Sequence, residues 1–427
     1  MGKKFIIICA STNHMLNADR ILRENHINTE LIPTPSQYGS ICSTSIMIDE
    51  ESRDRAELLL KENLVNVTGI YEYVERRFLG ITKGLSASKE FMDILKKVEQ
   101  GFELTREEIV KLLKTENPKE MEALYNAADR VRKAIVGDVV EIRAAIEFSN
   151  YCTKNCNYCG IRRDNRIIRY RMTEDQIMEG VREIQKLGIK TVILQSGEDP
   201  WYTPDKIVSI LKRIKKETGM RITLSIGERT KEEYRLFREA GANNYLLKIE
   251  TVNEELFKKV HPDDDYHKRK ECSVWLRELG YVNGSGNIIG LPGQTPEDIA
   301  DDIIYFKDMK IHMIGIGPFL PAKGTPYEKL PPGSVDMTLK AVAVTRLVCK
   351  NVFIPATTAL ATLDPDGHVK ALKAGANTIM LISTPPGFRE NYQIYSNKNM
   401  VDIHKALSAV RRAERKIPKY INLDVIA

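Results

Sequence analysis

Three cysteines crowd into eight positions of this chain: Cys152, Cys156 and Cys159, separated by three and then by two residues. They stand in the run Asn150-Tyr151-Cys152-Thr153-Lys154-Asn155-Cys156-Asn157-Tyr158-Cys159-Gly160, directly after an apolar stretch that reads as a strand. Three thiolates at that spacing can wrap one face of a cubane iron–sulfur cluster, and thiolates are the usual ligands of such centres. No fourth cysteine stands nearby, which leaves one iron with an open Lewis-acid position for a small molecule. Structural zinc is the alternative reading. Zinc wants a fourth Cys or His close by, and neither occurs between Cys159 and His261. The other four cysteines, Cys9, Cys42, Cys272 and Cys349, are scattered. Cys272 and Cys349 fall in amphipathic helical patterns and Cys9 ends an apolar strand, where buried free thiols are expected. The seven histidines show no metal-ligand spacing, and His312 and His368 read as incidental.

The elements that must position this cluster come from the hydrophobic pattern. From residue 141 onward, strands over 142–148, 191–195, 221–226, 244–250, 284–289, 313–317, 353–357 and 378–382 alternate with amphipathic helices. Eight such strands predict an α/β fold, a complete (β/α)8 TIM-type barrel, with the cysteines just past its first strand, where barrel enzymes place chemistry. An open doubly wound sheet is the alternative. Residues 1–75 read as a small α+β unit in the order β-α-β-β-α-β, a ferredoxin-like sandwich. Residues 76–137 read as a helical lead-in, in which Thr105 before Glu107 and Glu108 suits a helix start. The expected domains are therefore 1–75, 76–137 and 138–427.

Bulk properties narrow the class. A net charge of +6 from 64 basic and 58 acidic residues is a mild excess without a basic stripe, so nucleic acid is not an expected partner. No apolar run approaches the roughly 20 residues that span a bilayer, and the opening apolar stretch ends at Ala10, before polar Ser11, so it reads as a buried strand rather than a signal peptide. A cytoplasmic protein with reduced cysteines, off the membrane, is expected.

The cysteine segment resembles the Cys-x3-Cys-x2-Cys motif of the radical S-adenosylmethionine (SAM) superfamily, including the aromatic Tyr158 before the last cysteine. Ser196-Gly197-Glu198 looks like that family's Gly-Gly-Glu element, with a serine in place of the first glycine. Gly286-Asn287-Ile288-Ile289-Gly290 looks like its Gly-x-Ile-x-Gly element. The resemblance implies a 4Fe–4S cluster whose open iron chelates SAM through its amino and carboxylate groups. An electron then splits the sulfonium to methionine and a 5′-deoxyadenosyl radical. It also implies that Tyr158 and Ile288 lie near the adenine and that the Ser196–Glu198 backbone holds the methionine amino group.

A narrower resemblance, over residues 87–395, is to HydE, the FeFe-hydrogenase maturase family. It rests on segments such as Leu194-Gln195-Ser196-Gly197-Glu198-Asp199-Pro200, Thr223-Leu224-Ser225-Ile226-Gly227-Glu228 and Ile354-Pro355-Ala356-Thr357-Thr358-Ala359. It implies that Gln195 and Thr223 line a cavity near SAM, that Glu250 ends the fourth barrel strand beside SAM, and that Arg269 pairs with the SAM carboxylate. It further implies an iron–carbonyl–cyanide–cysteine synthon as substrate, a reductant such as ferredoxin or flavodoxin, and other maturases as partners. The family's Arg-His-Glu is here Lys248-Ile249-Glu250, which keeps the charge but loses the planar fork. No Cys follows Cys349, so a single cluster is expected. A radical SAM amino-acid mutase or synthase of the methylornithine synthase or biotin synthase type, and a non-catalytic Fe–S scaffold, stay open as alternatives. Residues 3–74 resemble a selenium/sulfur carrier family through Leu31-Ile32-Pro33-Thr34-Pro35 and Ser40-Ile41-Cys42-Ser43. Cys42 then reads either as a reactive carrier thiol or as an ordinary loop cysteine.

Overall fold

The computed structural model describes residues 3–34, 44–73 and 80–426. Its strands are β1 (Lys4–Cys9), β2 (Glu30–Pro33), β3 (Thr44–Asp49), β4 (Val67–Tyr73), β5 (Glu141–Ser149), β6 (Thr191–Ser196), β7 (Arg221–Ser225), β8 (Asn244–Leu246), β9 (Val282–Ile289), β10 (Met313–Pro318), β11 (Pro355–Ala356) and β12 (Thr378–Ile382).

The first four strands form one antiparallel sheet in the order β2-β3-β1-β4, with helices Thr12–Glu24 and Arg53–Glu62 as its crossovers. That is the ferredoxin-like arrangement the β-α-β-β-α-β order predicts. Ile7, Leu22, Ile46 and Leu60 fill its core, and Val282 at the start of β9 joins them. The sheet edge at β2 meets the barrel through two polar contacts. Lys310 pairs with Glu30 at 2.6 Å, and the His312 ring meets the Leu31 carbonyl at 2.5 Å. Because His312 Nδ1 accepts the Asn283 N–H, Nε2 carries the proton and donates to Leu31. His312, incidental by its spacing, thus covers an unpaired strand edge. Cys42 lies outside the described residues.

The other eight strands form a parallel sheet in the order β10-β9-β8-β7-β6-β5-β12-β11. The ring closes where Met313 bridges Phe353, with the Ile314 N–H donating to the Phe353 carbonyl and the Phe353 N–H to the His312 carbonyl, both at 2.8 Å. This closure rules out the open doubly wound sheet. Along each strand alternate residues face out: Ile142, Ala144, Ile146 and Phe148 of β5 lie in the apolar layer under the helices. The intervening Arg143, Ala145 and Glu147 therefore face the lumen. Arg143 plugs its amino-terminal end, paired with buried Glu141 at 2.9 Å and lying 4.8 Å over the Phe353 ring. The lead-in helices Arg106–Lys114 and Pro118–Val136 share this core, with Leu112, Leu124 and Val131 in one cluster with Ile303 and Leu347. The Thr105–Glu108 capping box starts the first of them.

Candidate active site

β5 ends at Ser149, and the cysteine loop follows it at the carboxyl end of the barrel. The loop has no regular structure of its own, so its backbone groups must find partners elsewhere. Asn157 N–H donates to the Val260 carbonyl and Gly160 N–H to that of Ile394. Asn155 is clasped with Asp164, and its N–H donates to Asp263 at 3.0 Å. Gly160 must be glycine, because a Cβ there would lie 2.1 Å from the Gln393 carbonyl oxygen. Above all, the Arg169 guanidinium gathers the carbonyls of Asn150, Ile161, Arg162, Arg163 and Asn165. Among the described residues no carboxylate pairs with it, so its charge is left for the thiols of Cys152 and Cys159 beside it.

The loop brings Cys152, Cys156 and Cys159 close enough for their charges to interact. Burial, reinforced by the neighbouring sulfurs, pushes Cys156 well up and Cys159 to about 12. Cys152 is raised too, by burial first, against a hydrogen bond from the Lys154 N–H at 3.4 Å. Three such thiols become thiolates together only against a strong cation, which iron supplies. Among the described residues no group of three or more His, Cys, Asp or Glu is arranged to hold a single ion. A cubane asks for something else, one thiolate for each of three separated irons, and a donor set of three cysteines fits it.

The remaining predicted residues surround the loop. At the end of β6, Gln195 faces the lumen and Ser196 Oγ donates to the Gly197 carbonyl at 2.7 Å. Gly197 packs against the loop, since a Cβ on it would lie 2.3 Å from the Tyr151 carbonyl oxygen. Glu198 accepts the Glu228 N–H at 2.9 Å, and burial holds its carboxyl above the usual range. On β7, Thr223 is fully buried, and its hydroxyl has no hydrogen-bond partner among the described residues. Past β8, Lys248 lies 2.8 Å from Glu250 Oε2, in a geometry that is not a hydrogen bond. Lys248 fills lumen space left by Gly286, where a Cβ would come 2.8 Å from its Cε. Glu250 holds a left-handed φ of 64° and is clamped to β9, accepting from the Ile288 N–H and donating to the Gly286 carbonyl. Arg269 donates to Glu228 at 2.5 Å, to Asp264 at 2.6 Å and to the Lys248 carbonyl at 2.9 Å. That uses three of its five N–H groups. Tyr158 and Ile288 meet in one apolar cluster with Leu256, Leu291 and Phe319.

Several residues here carry no motif. Lys154 projects from the cysteine loop into Asp264, with Glu198 at 3.7 Å and Glu228 at 3.9 Å. His261 meets the Tyr158 hydroxyl at 3.0 Å. Asp302 accepts the Val252 N–H at 2.6 Å and the Asn287 amide at 2.9 Å, bracing the chain just past Glu250. Its only sequence signal is an acid on the buried face of an amphipathic helix. Full burial raises its carboxyl to about 7. In the unfolded chain it titrates near about 3.9. The folded state thus holds the proton more tightly, so the contribution of Asp302 to stability is complete below about pH 4 and declines as pH rises through 7. Asp302→Asn is expected to flatten the pH dependence of the melting temperature across that window. An unchanged slope would place the burial cost elsewhere.

Residues 146–305 match the radical SAM superfamily, and residues 4–72 match the Se/S carrier protein-like family. The [FeFe] hydrogenase maturase subunit HydE of Thermotoga maritima is 47% identical over 307 residues, covering 72% of this chain and 88% of that protein. The chain belongs to the HydE branch of the radical SAM superfamily. This HydE-type chain is also similar to related synthases. The 3-methylornithine synthase of Methanosarcina acetivorans is 32% identical over 67% of this chain and 81% of its own length. The crystal structure of methylornithine synthase (PylB) superposes with a TM-score of 0.70 at 29% identity, over 78% of this chain and all of that one.

Proposed function

We propose that this HydE-type radical SAM enzyme acts in building the diiron part of the FeFe-hydrogenase cofactor, on an iron–carbonyl–cyanide–cysteine synthon. The reading is supported by three half-buried thiols on the loop after β5, with no fourth Cys or His ligand beside them among the described residues, in a chain 47% identical to a HydE. Cys152, Cys156 and Cys159 would hold a 4Fe–4S cluster. When bound, that cluster supplies the electron that splits SAM to methionine and a 5′-deoxyadenosyl radical.

The protein's own groups bind and orient. Tyr158 and Ile288 form an apolar wall for the adenine. The backbone at Ser196, Gly197 and Glu198 receives the methionine amino group. Arg269 has two N–H groups left for the SAM carboxylate, and Glu228 and Asp264 hold its fork in place. Glu250 stands beside SAM as an acceptor. Gln195, Thr223 and Lys248 face the lumen, where the unmet Thr223 hydroxyl and the Lys248 ammonium receive polar and anionic parts of the substrate. A low-potential reductant such as ferredoxin or flavodoxin and the other maturases complete the set of partners, in the cytoplasm. Among the described residues no helix is long and apolar enough to cross a membrane.

One departure supports a second reading, an amino-acid mutase or synthase of the methylornithine synthase type. Lys248-Ile249 replaces the family's Arg-His, so a substrate carboxylate meets a point charge instead of a planar fork. Anaerobic incubation with SAM, dithionite and the iron–cysteine synthon separates the readings. The HydE reading expects an adenosylated product. Deoxyadenosine release with an isomerised amino acid, and none with the synthon, would favour the second. No SAM cleavage at all would leave only a scaffold.

A further inference from the structure

A cleft of about 790 Å³ borders the end of the cysteine loop, with Gly160, Asn165, Arg166, Lys323 and Gln393 among its walls. None of the lumen residues Gln195, Thr223, Lys248 or Glu250 lines it. It therefore lies apart from the SAM and substrate side. Gly160 is bonded directly to Cys159 and is bare backbone by steric necessity. Asn165 straps this wall together, donating to the carbonyls of Gly160 at 2.7 Å and Lys323 at 2.9 Å.

The rim is basic. Arg166 and Lys323 are both exposed, and among the described residues neither side chain forms an ion pair. Two acids stand near it: Asp164 is paired with Arg163 and clasped by Asn155, whereas Glu328 only accepts the Gly324 N–H and keeps its charge, so among the described residues two unpaired cations stand against one free acid. Two positions past Arg166, Ile168 stands 73% exposed, an apolar contact beside the charges. A charged rim around an apolar spot, next to a buried redox centre, is the anatomy of a transient protein contact.

Resting on the radical SAM reading, we propose that this cleft is where a small acidic one-electron carrier protein docks and reduces the cluster. One electron leaves the carrier's reduced centre, which is oxidised, and enters the cluster along the Gly160–Cys159 wall. No bond changes and no proton moves in that step. The electron is then consumed in the cleavage of the SAM sulfonium.

The test uses the reconstituted enzyme with reduced flavodoxin as the carrier and dithionite as a small reductant that needs no docking site. Cluster reduction is followed by loss of visible absorbance, and binding of oxidised flavodoxin by titration. In Arg166→Glu/Lys323→Glu, reduction by flavodoxin is expected to slow about tenfold or more at low salt and binding to weaken in step. Dithionite reduction and iron content should stay within about twofold of the unsubstituted enzyme, and the flavodoxin rate of that enzyme should fall steeply with added salt. Equal flavodoxin rates in both proteins would place the docking site elsewhere and overturn the proposal. Equal losses with both reductants, together with lost iron, would make these residues structural and overturn it too. If the unsubstituted enzyme cleaves no SAM with either reductant, the radical reading fails and the docking site goes with it.

Discussion

Cys156→Ala is expected to abolish the cluster and SAM cleavage together while leaving the fold intact. Cys156 is the middle thiol of the three, half-buried and close enough to Cys159 and Cys152 for their charges to interact. Without it only two thiolates remain, and iron and sulfide have no third anchor. The loop itself does not depend on that sulfur. Its geometry is set by the Arg169 fan of carbonyl bonds, by the Asn155–Asp164 clasp and by the backbone bonds of Asn157 and Gly160. Circular dichroism and thermal unfolding of the apo protein should therefore match the unsubstituted chain, whereas visible absorption, iron, acid-labile sulfide and deoxyadenosine all fall to background. A Cys156→Ala protein that still turned over SAM would refute the ligand assignment.

The second large effect is on stability. Lys398, on the segment after β12, reaches the Glu147 carboxylate inside the barrel mouth, and both side chains are almost fully buried. Glu147 also accepts from the Thr384 hydroxyl at 3.2 Å, and Lys398 donates to the Tyr392 carbonyl at 3.3 Å. Lys398→Met removes the cation and strands the carboxylate, which should cost about 3–5 kcal/mol. Burial already raises the Glu147 carboxyl against the pull of Lys398. Without the lysine that carboxyl takes up a proton more readily still. The loss should thus be largest at high pH and shrink on acidification, where glutamic acid is neutral. Glu147→Leu/Lys398→Met should recover most of the loss, because removing both charges also removes the desolvation cost. Urea midpoints at unchanged m-value measure all three proteins. A double variant no more stable than Lys398→Met would show that the pair is not the cause.

The barrel and the grouping of the three cysteines on one loop were legible in the sequence because their signals are local. The cysteines sit within one loop, and each strand announces itself by a short apolar run between amphipathic helices. The ferredoxin-like unit followed from element order alone, and strand pairing agrees with it. The last predicted strands were less sharp. The run 353–357 pairs only over Pro355–Ala356, and closure passes through a single bridge at Phe353. The run 244–250 keeps a continuous ladder only over Asn244–Leu246 and rejoins β9 through a single bridge, Glu250 with Asn287, where Glu250 turns left-handed.

What was not legible is long-range or made of backbone. Glu147 and Lys398 are 251 positions apart. Arg169 is one of five arginines between Arg162 and Arg171, and its partners are carbonyls, which no sequence pattern marks. His261 gains meaning only through the Tyr158 hydroxyl. The lead-in helices were separable by composition, yet Leu112 and Val131 share the barrel's own core.

The most direct test of a cluster with one iron left for SAM is electron–nuclear double resonance on the reduced, reconstituted enzyme with labelled cofactor. Isotopes placed in the amino nitrogen and the carboxylate oxygen of SAM should both couple to a single iron. SAM that binds without either coupling, or a cluster whose every iron is held by a protein side chain, would contradict the account.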